Sequence, residues 1–283
     1  MWKSLVVQAD LDGCAETGSV RVEIRLYETQ KRIELHYGMR KLPVTEPEAV
    51  YVAFPFRWRD GKVFYEAQGG IVEPGHNQLP GSSSDWHTVQ NFLAVRNDQG
   101  HIVLGSDQIP LVQFSDLNLG KWQPVARVEK PHIYSWVMNN YWFTNFRATQ
   151  QGEFRWSYYL TSSRDASNST AVRFGWGSRV PLIPRALPAG QGEAGKCSDS
   201  RLRCEAANLL LVESRPAYEG KGVIMHWREV DGKPAILDLR HQPFAGKHAT
   251  VEEVNALEKT LNEGSSSISF APFEVKFLRV IPK

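Results

Sequence analysis

Short segments in which apolar and polar residues alternate recur through the first two thirds of the chain. Val20–Tyr27 alternates with period two and residues 32–37 repeat the pattern after a short turn, which predicts a hairpin. Residues 49–56 are almost continuously apolar, which predicts a strand buried on both faces. Further strands are predicted at residues 63–67, 91–96, 101–105, 123–128, 133–138, 152–160 and 171–175. Regular short strands separated by Gly and Pro indicate an all-β sandwich.

The composition changes between residues 180 and 204, where Pro and Gly are frequent and strand-forming residues are few. We interpret residues 189–203 as an exposed connection between a first domain at 1–188 and a second at 204–283. The second domain has four predicted strands and, from the capping box that starts at Thr250, one predicted helix over 250–261. The four strands are predicted at residues 208–214, 222–229, 235–239 and 273–280.

Composition excludes several classes of protein. The 283 residues include 33 Lys and Arg against 31 Asp and Glu, a formal net charge of +2. A balance so near zero, without a basic cluster, argues against nucleic acid as the main partner. The longest aliphatic run covers only residues 209–212, far short of the ~20 residues that a membrane-spanning helix needs. Gln8 and Asp10 interrupt the apolar start, so no signal-peptide core is visible. We therefore expect a soluble protein with no membrane partner, and the compartment is not indicated.

Aromatic residues are unusually frequent, with 9 Trp, 9 Tyr and 13 Phe. Many lie beside amides and ionisable groups in two segments, residues 75–90 and residues 135–146. Flat rings next to hydrogen-bonding amides suit sugars, although the same rings can be core residues and the same Asn side chains can cap turns. We predict that the two segments meet on one edge of the sandwich as a substrate-binding site. Its predicted residues are Asp85, Trp86, His87, Asn139, Asn140, Tyr141, Trp142 and Asn145.

Motifs that carry catalysis are missing from the sequence. The eight histidines are scattered, without the spacing that a metal site requires. There is no nucleophile elbow and no phosphate-binding glycine loop. The sequence therefore assigns no catalytic residue and no metal ligand.

Several segments together resemble one family. They are residues 48–56 and 78–90, the run Met-Asn-Asn-Tyr-Trp-Phe-Thr-Asn-Phe at 138–146, and residues 151–155, 208–216, 222–229 and 270–280. In these segments the chain resembles the C-terminal region of the glycoside hydrolase family 38 α-mannosidases. The matches keep the family's order from about residue 17 to the end.

The resemblance implies a galactose-mutarotase-like supersandwich followed by a small β-sandwich. It also implies that zinc and the carboxylate nucleophile belong to an N-terminal catalytic domain that this sequence does not contain, so no cofactor is expected here. The implied partners are a mannose-containing glycan and a catalytic domain of the same or a companion chain. Alone, the chain is expected to be inactive.

Two other functions remain open from the sequence. The first is an aldose epimerase or polysaccharide lyase on the same supersandwich, with His87 or His132 as the acid and Glu153 or Glu66 as the base. The second is a purely structural domain that packs on a catalytic partner and contacts no ligand.

Overall fold

The structure, a computed structural model, describes residues 1–15, 17–142, 145–180, 182–184, 202–239, 249–263 and 266–282. The chain divides into two compact units, Met1–Ala166 with Thr170–Pro181, and Ser167–Ser169 with Leu182–Lys283. The described residues form nineteen strands and one helix, so the predicted all-β fold is confirmed. The predicted connection at 189–203 lies outside the described residues except for its last two positions.

The first unit contains two antiparallel sheets. One sheet has eight strands in the order β1-β2-β3-β12-β9-β8-β5-β6, and the other has four in the order β4-β11-β10-β7. The strands are β1 (Trp2–Ala9), β2 (Val20–Tyr27), β3 (Ile33–Lys41), β4 (Ala49–Pro55), β5 (Lys62–Ala67), β6 (Gly70–Val72), β7 (His87–Thr88), β8 (Leu93–Asn97), β9 (Gly100–Gly105), β10 (Leu111–Phe114), β11 (His132–Asn139) and β12 (Gly152–Ser163).

The core of this unit lies between the two sheets. Tyr65, Leu93 and Tyr158 of the eight-stranded sheet pack in one buried cluster with Phe54 and Ile133 of the four-stranded sheet. Alternate residues of each strand point into this cluster, which is why the period-two pattern marks these segments. The predicted hairpin of β2 and β3 is confirmed by their antiparallel pairing.

The strand predictions for this unit differ from the structure at several segments. Residues 123–128 form no strand. The strand predicted at residues 49–56 is β4, but it lies at a sheet edge and only Phe54 is buried, so it is not covered on both faces. The β1 strand was missed, because its residues are exposed throughout and do not alternate.

The segment predicted as a strand at residues 171–175 belongs to helix α1 (Asn168–Arg179). Its buried residues are Ala171, Val172 and Gly175, a spacing of three to four that fits one face of a helix. Trp176 continues this face and donates an indole hydrogen bond to the fully buried Glu66 of β5 at 3.2 Å. This short apolar run is compatible with the period of a strand and with that of a helix, and packing against the sheet favours the helix.

One face of the outer strands β1, β2 and β3 is apolar and uncovered by the described residues. Pairing places Leu5 beside Ile24 and Leu35, and Lys3 beside Leu26 and Ile33, all on the face that continues into the core. Leu5 is 62% exposed and Leu26 is 51% exposed. The opposite face carries charges such as Glu23 and Arg25. We call this surface the outer apolar face.

The second unit has a five-stranded sheet, in the order β13-β14-β19-β16-β17, and a two-stranded sheet of β15 and β18. Trp227, Leu237 and Phe270 are buried in a core cluster to which both sheets contribute. The strands are β13 (Leu209–Pro216), β14 (Val223–Glu229), β15 (Ala235–Asp238), β16 (Thr250–Val254), β17 (Thr260–Glu263), β18 (Ser267–Phe270) and β19 (Val275–Ile281).

The helix predicted over residues 250–261 is wrong, because this segment is the hairpin of β16 and β17. The two glutamates of the apparent capping box instead pair with basic residues of the neighbouring strand β19. Glu252 contacts Arg279 at 3.1 Å and Glu253 contacts Lys276 at 2.9 Å. Cross-strand ion pairs and the burial of Val251 and Val254 outweigh the local helical pattern. Among the described residues, no helix has the length and apolarity to cross a membrane.

Candidate functional site

A groove of about 880 Å³ opens at one edge of the first unit. Its walls come from β5 and β6 of one sheet, from β7 of the other, and from the polar loop that precedes β7. The edge strands do not pair with each other here, so the space between the two sheets opens to solvent. Its lining includes Tyr65, Gln78, Trp86, His87, Gln90 and Arg179.

His87 forms part of the inner wall of this groove. Its ring stacks on Phe114 with centroids 4.8 Å apart, and its Nδ1 lies 3.2 Å from the hydroxyl of Tyr65. Burial lowers the pKa of His87 to about 4, although the carboxylate of Asp85 opposes this shift. The imidazole is therefore neutral at neutral pH. In the described part of the chain its Nε2 has no hydrogen-bond partner, which leaves one ring nitrogen for a ligand.

Asp85 organises the loop and does not face a ligand. The residue is buried, its Oδ1 accepts a hydrogen bond from Ser83 Oγ at 3.2 Å, and its Oδ2 accepts one from the Gly120 N–H at 3.3 Å. Ser84 Oγ accepts a further hydrogen bond from the Gln123 N–H at 2.7 Å. These contacts join the loop at residues 75–90 to residues 116–128 and hold the rim of the groove in place.

Gln78 supplies an amide to the same rim. Its Nε2 donates to Ser82 Oγ at 2.8 Å and to the Ser83 carbonyl at 2.5 Å. Its Oε1 is buried without a partner among the described residues. A buried acceptor without a donor is costly, so a ligand or a water that donates to it would be favoured.

Trp86 connects the groove to an aromatic cluster on the four-stranded sheet. Its ring meets Trp136 edge to face at 6.2 Å, and Trp136 stacks on Tyr51 at 5.8 Å and contacts Tyr141 at 6.3 Å. Burial, with a smaller contribution from Tyr141, raises the pKa of Tyr51 to about 12. We call Tyr51, Trp86, Trp136 and Tyr141 the aromatic ledge. Through Trp136, the structure brings together two of the residues predicted from the sequence, Trp86 and Tyr141.

Asn140 is occupied by the backbone. Its Oδ1 accepts a hydrogen bond from the Glu48 N–H at 2.6 Å, and its Nδ2 donates to the carbonyls of Val44 at 3.1 Å and Glu46 at 2.8 Å. Asn139 Oδ1 accepts from the N–H of Tyr141 at 3.1 Å, as in an Asx turn. These two amides fix the chain after β11.

Trp142 and Asn145 belong to a different surface. The indole N–H of Trp142 donates to Asn145 Oδ1 at 3.0 Å, and its ring contacts Phe146 at 5.9 Å. Both residues line a separate hollow of about 490 Å³ with residues 45–47 and Arg147. The predicted set is therefore divided between the groove, the ledge and this hollow. Sequence reasoning missed Gln78 and Trp136. For Trp136, the available indication was a large aromatic ring at a position of β11 that does not contribute to the core between the sheets.

The described residues of this groove do not include a carboxylate that could act as a general base beside His87. None of the described residues that line it is Asp or Glu, and its one charged side chain, Arg179, donates to the Gln90 carbonyl. Glu66 follows Tyr65 in β5 and points to the opposite face of the sheet, toward Asn91 and Trp176.

The other two residues of the epimerase alternative lie in different sheets. His132 is in the four-stranded sheet, whereas Glu153 is exposed in the eight-stranded sheet. Within the described ranges, no group of three or more His, Cys, Asp or Glu residues is arranged to hold a metal ion.

No protein-family model and no curated protein matches this chain. Solved structures do match it. An α-mannosidase from Enterococcus faecalis V583 has a TM-score of 0.64 at 11% identity, over 92% of this chain and 28% of that chain. A glycosyl hydrolase family 38 protein from Enterococcus faecalis has a TM-score of 0.65 at 10% identity, over 92% of this chain and 29% of that chain. At such identities the likeness shows the fold alone. The fold expected from the sequence is confirmed, and this chain spans less than a third of the length of either neighbour.

Proposed function

We propose that this chain is the carbohydrate-side β module of an α-mannosidase-like glycoside hydrolase, acting beside a zinc-dependent catalytic domain of the same or a companion chain. The observation that carries this proposal is the match of 92% of the chain to 28% of an α-mannosidase. The chemistry of such an enzyme would then lie in the part of those proteins that has no counterpart here. The role left for this module is to bind glycan and to pack on the catalytic domain.

The groove has the features that a neutral sugar requires. Trp86 is 38% exposed, and its ring offers an apolar surface for one face of a pyranose ring. The neutral imidazole of His87 offers a ring nitrogen to a hydroxyl, and the amide side chain of Gln78 lies in the same wall. Polar side chains such as Asn77, Gln78 and Gln90 line the groove beside apolar ones, and such a mixture suits a ligand with many hydroxyl groups. We propose that a mannose-containing glycan binds here, against Trp86 and His87.

The outer apolar face supports the packing role. Exposed apolar surfaces of this kind mark interaction sites when they are contiguous. We assign its occupant as the catalytic domain, because more than two thirds of each mannosidase neighbour lies outside the matched region. The opposite face of β1 and β2 is mixed, with Arg21, Glu23 and Arg25 beside the exposed Trp2 and Val6.

The first test measures hydrolysis with and without a partner. The purified chain with added zinc should not hydrolyse an aryl α-mannoside, because its groove contains no carboxylate pair. Turnover should require a separately supplied catalytic domain. Leu5→Lys, on the outer apolar face, should weaken that reconstitution about tenfold or more, whereas Gln8→Lys, on the opposite face of the same strand, should leave it unchanged.

Turnover by the chain alone, if it survived repurification and were lost on a point mutation in this chain, would contradict the proposal. Equal turnover after reconstitution with Leu5→Lys and with Gln8→Lys would contradict docking on the outer apolar face. It would not contradict sugar binding in the groove.

The second test measures glycan binding in the groove. Trp86→Ala should weaken the affinity for a mannobioside about tenfold, because a stacking ring is lost, in isothermal titration calorimetry of the purified chain. Trp2→Ala is the matched control, since Trp2 is exposed in β1, at the edge of the eight-stranded sheet opposite to β6 of the groove, and this variant should bind as the parent does. Equal affinities of the parent and Trp86→Ala would contradict the site.

A further inference from the structure

The second unit has a groove of its own, of about 750 Å³. It lies where the turn between β13 and β14 meets the turn between β16 and β17, beside Arg279 of β19. Neither the motifs of the sequence nor the proposed function assigns a role to it.

Glu258 holds the two turns together. Its Oε1 accepts a hydrogen bond from Arg215 Nη1 at 2.5 Å, and its Oε2 accepts one from the Tyr218 N–H at 2.9 Å. Arg279 Nη2 donates to the Glu258 carbonyl at 2.6 Å. Glu258 thus joins three separate segments, through its carboxylate to Arg215 and Tyr218 and through its backbone carbonyl to Arg279.

The backbone of Glu258 is itself strained. Its φ is +60°, in the left-handed region that residues other than glycine rarely adopt. Asn255 maintains the turn, because its Oδ1 accepts hydrogen bonds from the N–H groups of Leu257 at 2.9 Å and Lys259 at 3.0 Å. Strain of this kind persists where the surroundings over-determine it and is often found at functional sites.

The rim of the groove is apolar and exposed. The Tyr218 residue is 93% exposed although its N–H is fixed by Glu258, and Leu257 on the facing turn is 77% exposed. An aromatic ring held on a rigid turn loses little conformational entropy when it binds a ligand. This pair gives the groove an apolar side beside its polar floor.

The two guanidinium groups of the groove are already paired. Arg215 pairs with Glu258, which also lines the groove, and Arg279 pairs with Glu252 beside it. This pairing reduces the attraction of the groove for an anion such as phosphate, whereas a neutral polyhydroxyl ligand can use both donors and acceptors.

We propose that this groove binds a neutral pyranoside, with its apolar face on Tyr218 and its hydroxyls toward Arg215 and Glu219. The site belongs to the second unit and does not depend on the groove of the first unit or on the proposed function. It would give the chain a second point of attachment to a glycan.

The test is a titration of the full chain with methyl α-D-mannopyranoside and methyl α-D-glucopyranoside, followed by NMR. At least one sugar should shift the amide signals of residues 217–222 and 255–259. Tyr218→Ala should weaken this binding about tenfold, whereas Tyr218→Phe should retain it because the ring is kept. Trp86→Ala should leave these shifts unchanged.

The proposal is overturned if neither sugar shifts these amides at tens of millimolar, or if Tyr218→Ala binds as the parent does. Stronger shifts with inorganic phosphate would also overturn it, since they would show an anion site. If the sugars shift these amides in a Tyr218-dependent way but do not bind in the groove of the first unit, the proposed function is contradicted and the site in the second unit is supported.

Discussion

Lowering the pH from 6.5 towards 4 should destabilise the first unit steeply, because two buried histidines must stay neutral in the folded state. Burial lowers the pKa of His87 and of His101 to about 4, from the ordinary value of 6.5. Asp85 opposes the shift at His87. At His101, Arg96 adds to the shift and Asp165 opposes it. His101 is fully buried, and neither ring nitrogen has a hydrogen-bond partner among the described residues.

The direction follows from proton uptake. Below pH 6.5 the unfolded chain binds protons on these histidines and the folded chain does not, so the free energy of unfolding falls as the pH falls. The slope is about 1.4 kcal/mol per pH unit for each histidine, and the loss reaches about 3 kcal/mol per histidine near pH 4. Above pH 6.5 the contribution is constant. Glu34 and Glu229 have pKa values below the ordinary 4.5, so their effect begins at lower pH.

Urea unfolding followed by circular dichroism at several pH values measures this slope. His101→Gln keeps a polar side chain that does not ionise, so it should reduce the slope between pH 6.5 and about 5 by one histidine's share, whatever its effect at neutral pH. His87→Gln should do the same. Identical slopes in the parent and both variants would show that these histidines titrate normally.

The sequence could predict the sheets of this protein because side-chain alternation and burial coincide in them. Val20–Tyr27 is half buried along its length, and its pattern shows this. The strand β1 could not be found, because all its residues are exposed and its sequence therefore has no alternation of buried apolar and exposed polar residues. Residues 171–175 and 250–261 were assigned the wrong element because short patterns fit two periods. The choice was made by tertiary contacts such as Trp176 to Glu66 and Glu252 to Arg279.

The candidate site shows the same limit at the level of single side chains. The sequence indicated the two segments that form the groove rim and the aromatic ledge, since rings beside amides are unusual in a strand. It could not show that Asn140 is occupied by three backbone groups or that Trp142 lines another hollow. Trp86 and His87 are neighbours in sequence, yet one joins the outer ledge and the other packs on the inner Phe114. Such partners are fixed by distant chain segments that local patterns do not encode.

Alanine at Gly75 should destabilise the protein far more than alanine at Gly81, although the two glycines have nearly the same backbone conformation. Their φ values are +75° and +79°. A Cβ at Gly75 would lie 2.1 Å from the Ala126 carbonyl oxygen, whereas a Cβ at Gly81 has no atom within 4 Å. Gly81→Ala should therefore cost only the left-handed strain of about 1–2 kcal/mol. Gly75→Ala adds a backbone clash, and we expect a total of about 3–4 kcal/mol in urea unfolding.

The same pair of variants tests whether the joined loops shape the groove. Gly75 lies where the loop at residues 75–90 touches residues 116–128, so a clash there must separate the two segments that Asp85 and Ser84 connect. Gly75→Ala should therefore also weaken mannobioside binding under conditions in which the protein remains folded, and Gly81→Ala should not. Because both variants carry similar left-handed strain, a difference between them isolates the contact with Ala126. Equal losses of stability would show that the loop at residues 75–90 moves freely away from residues 116–128, and that its hydrogen bonds do not define the groove.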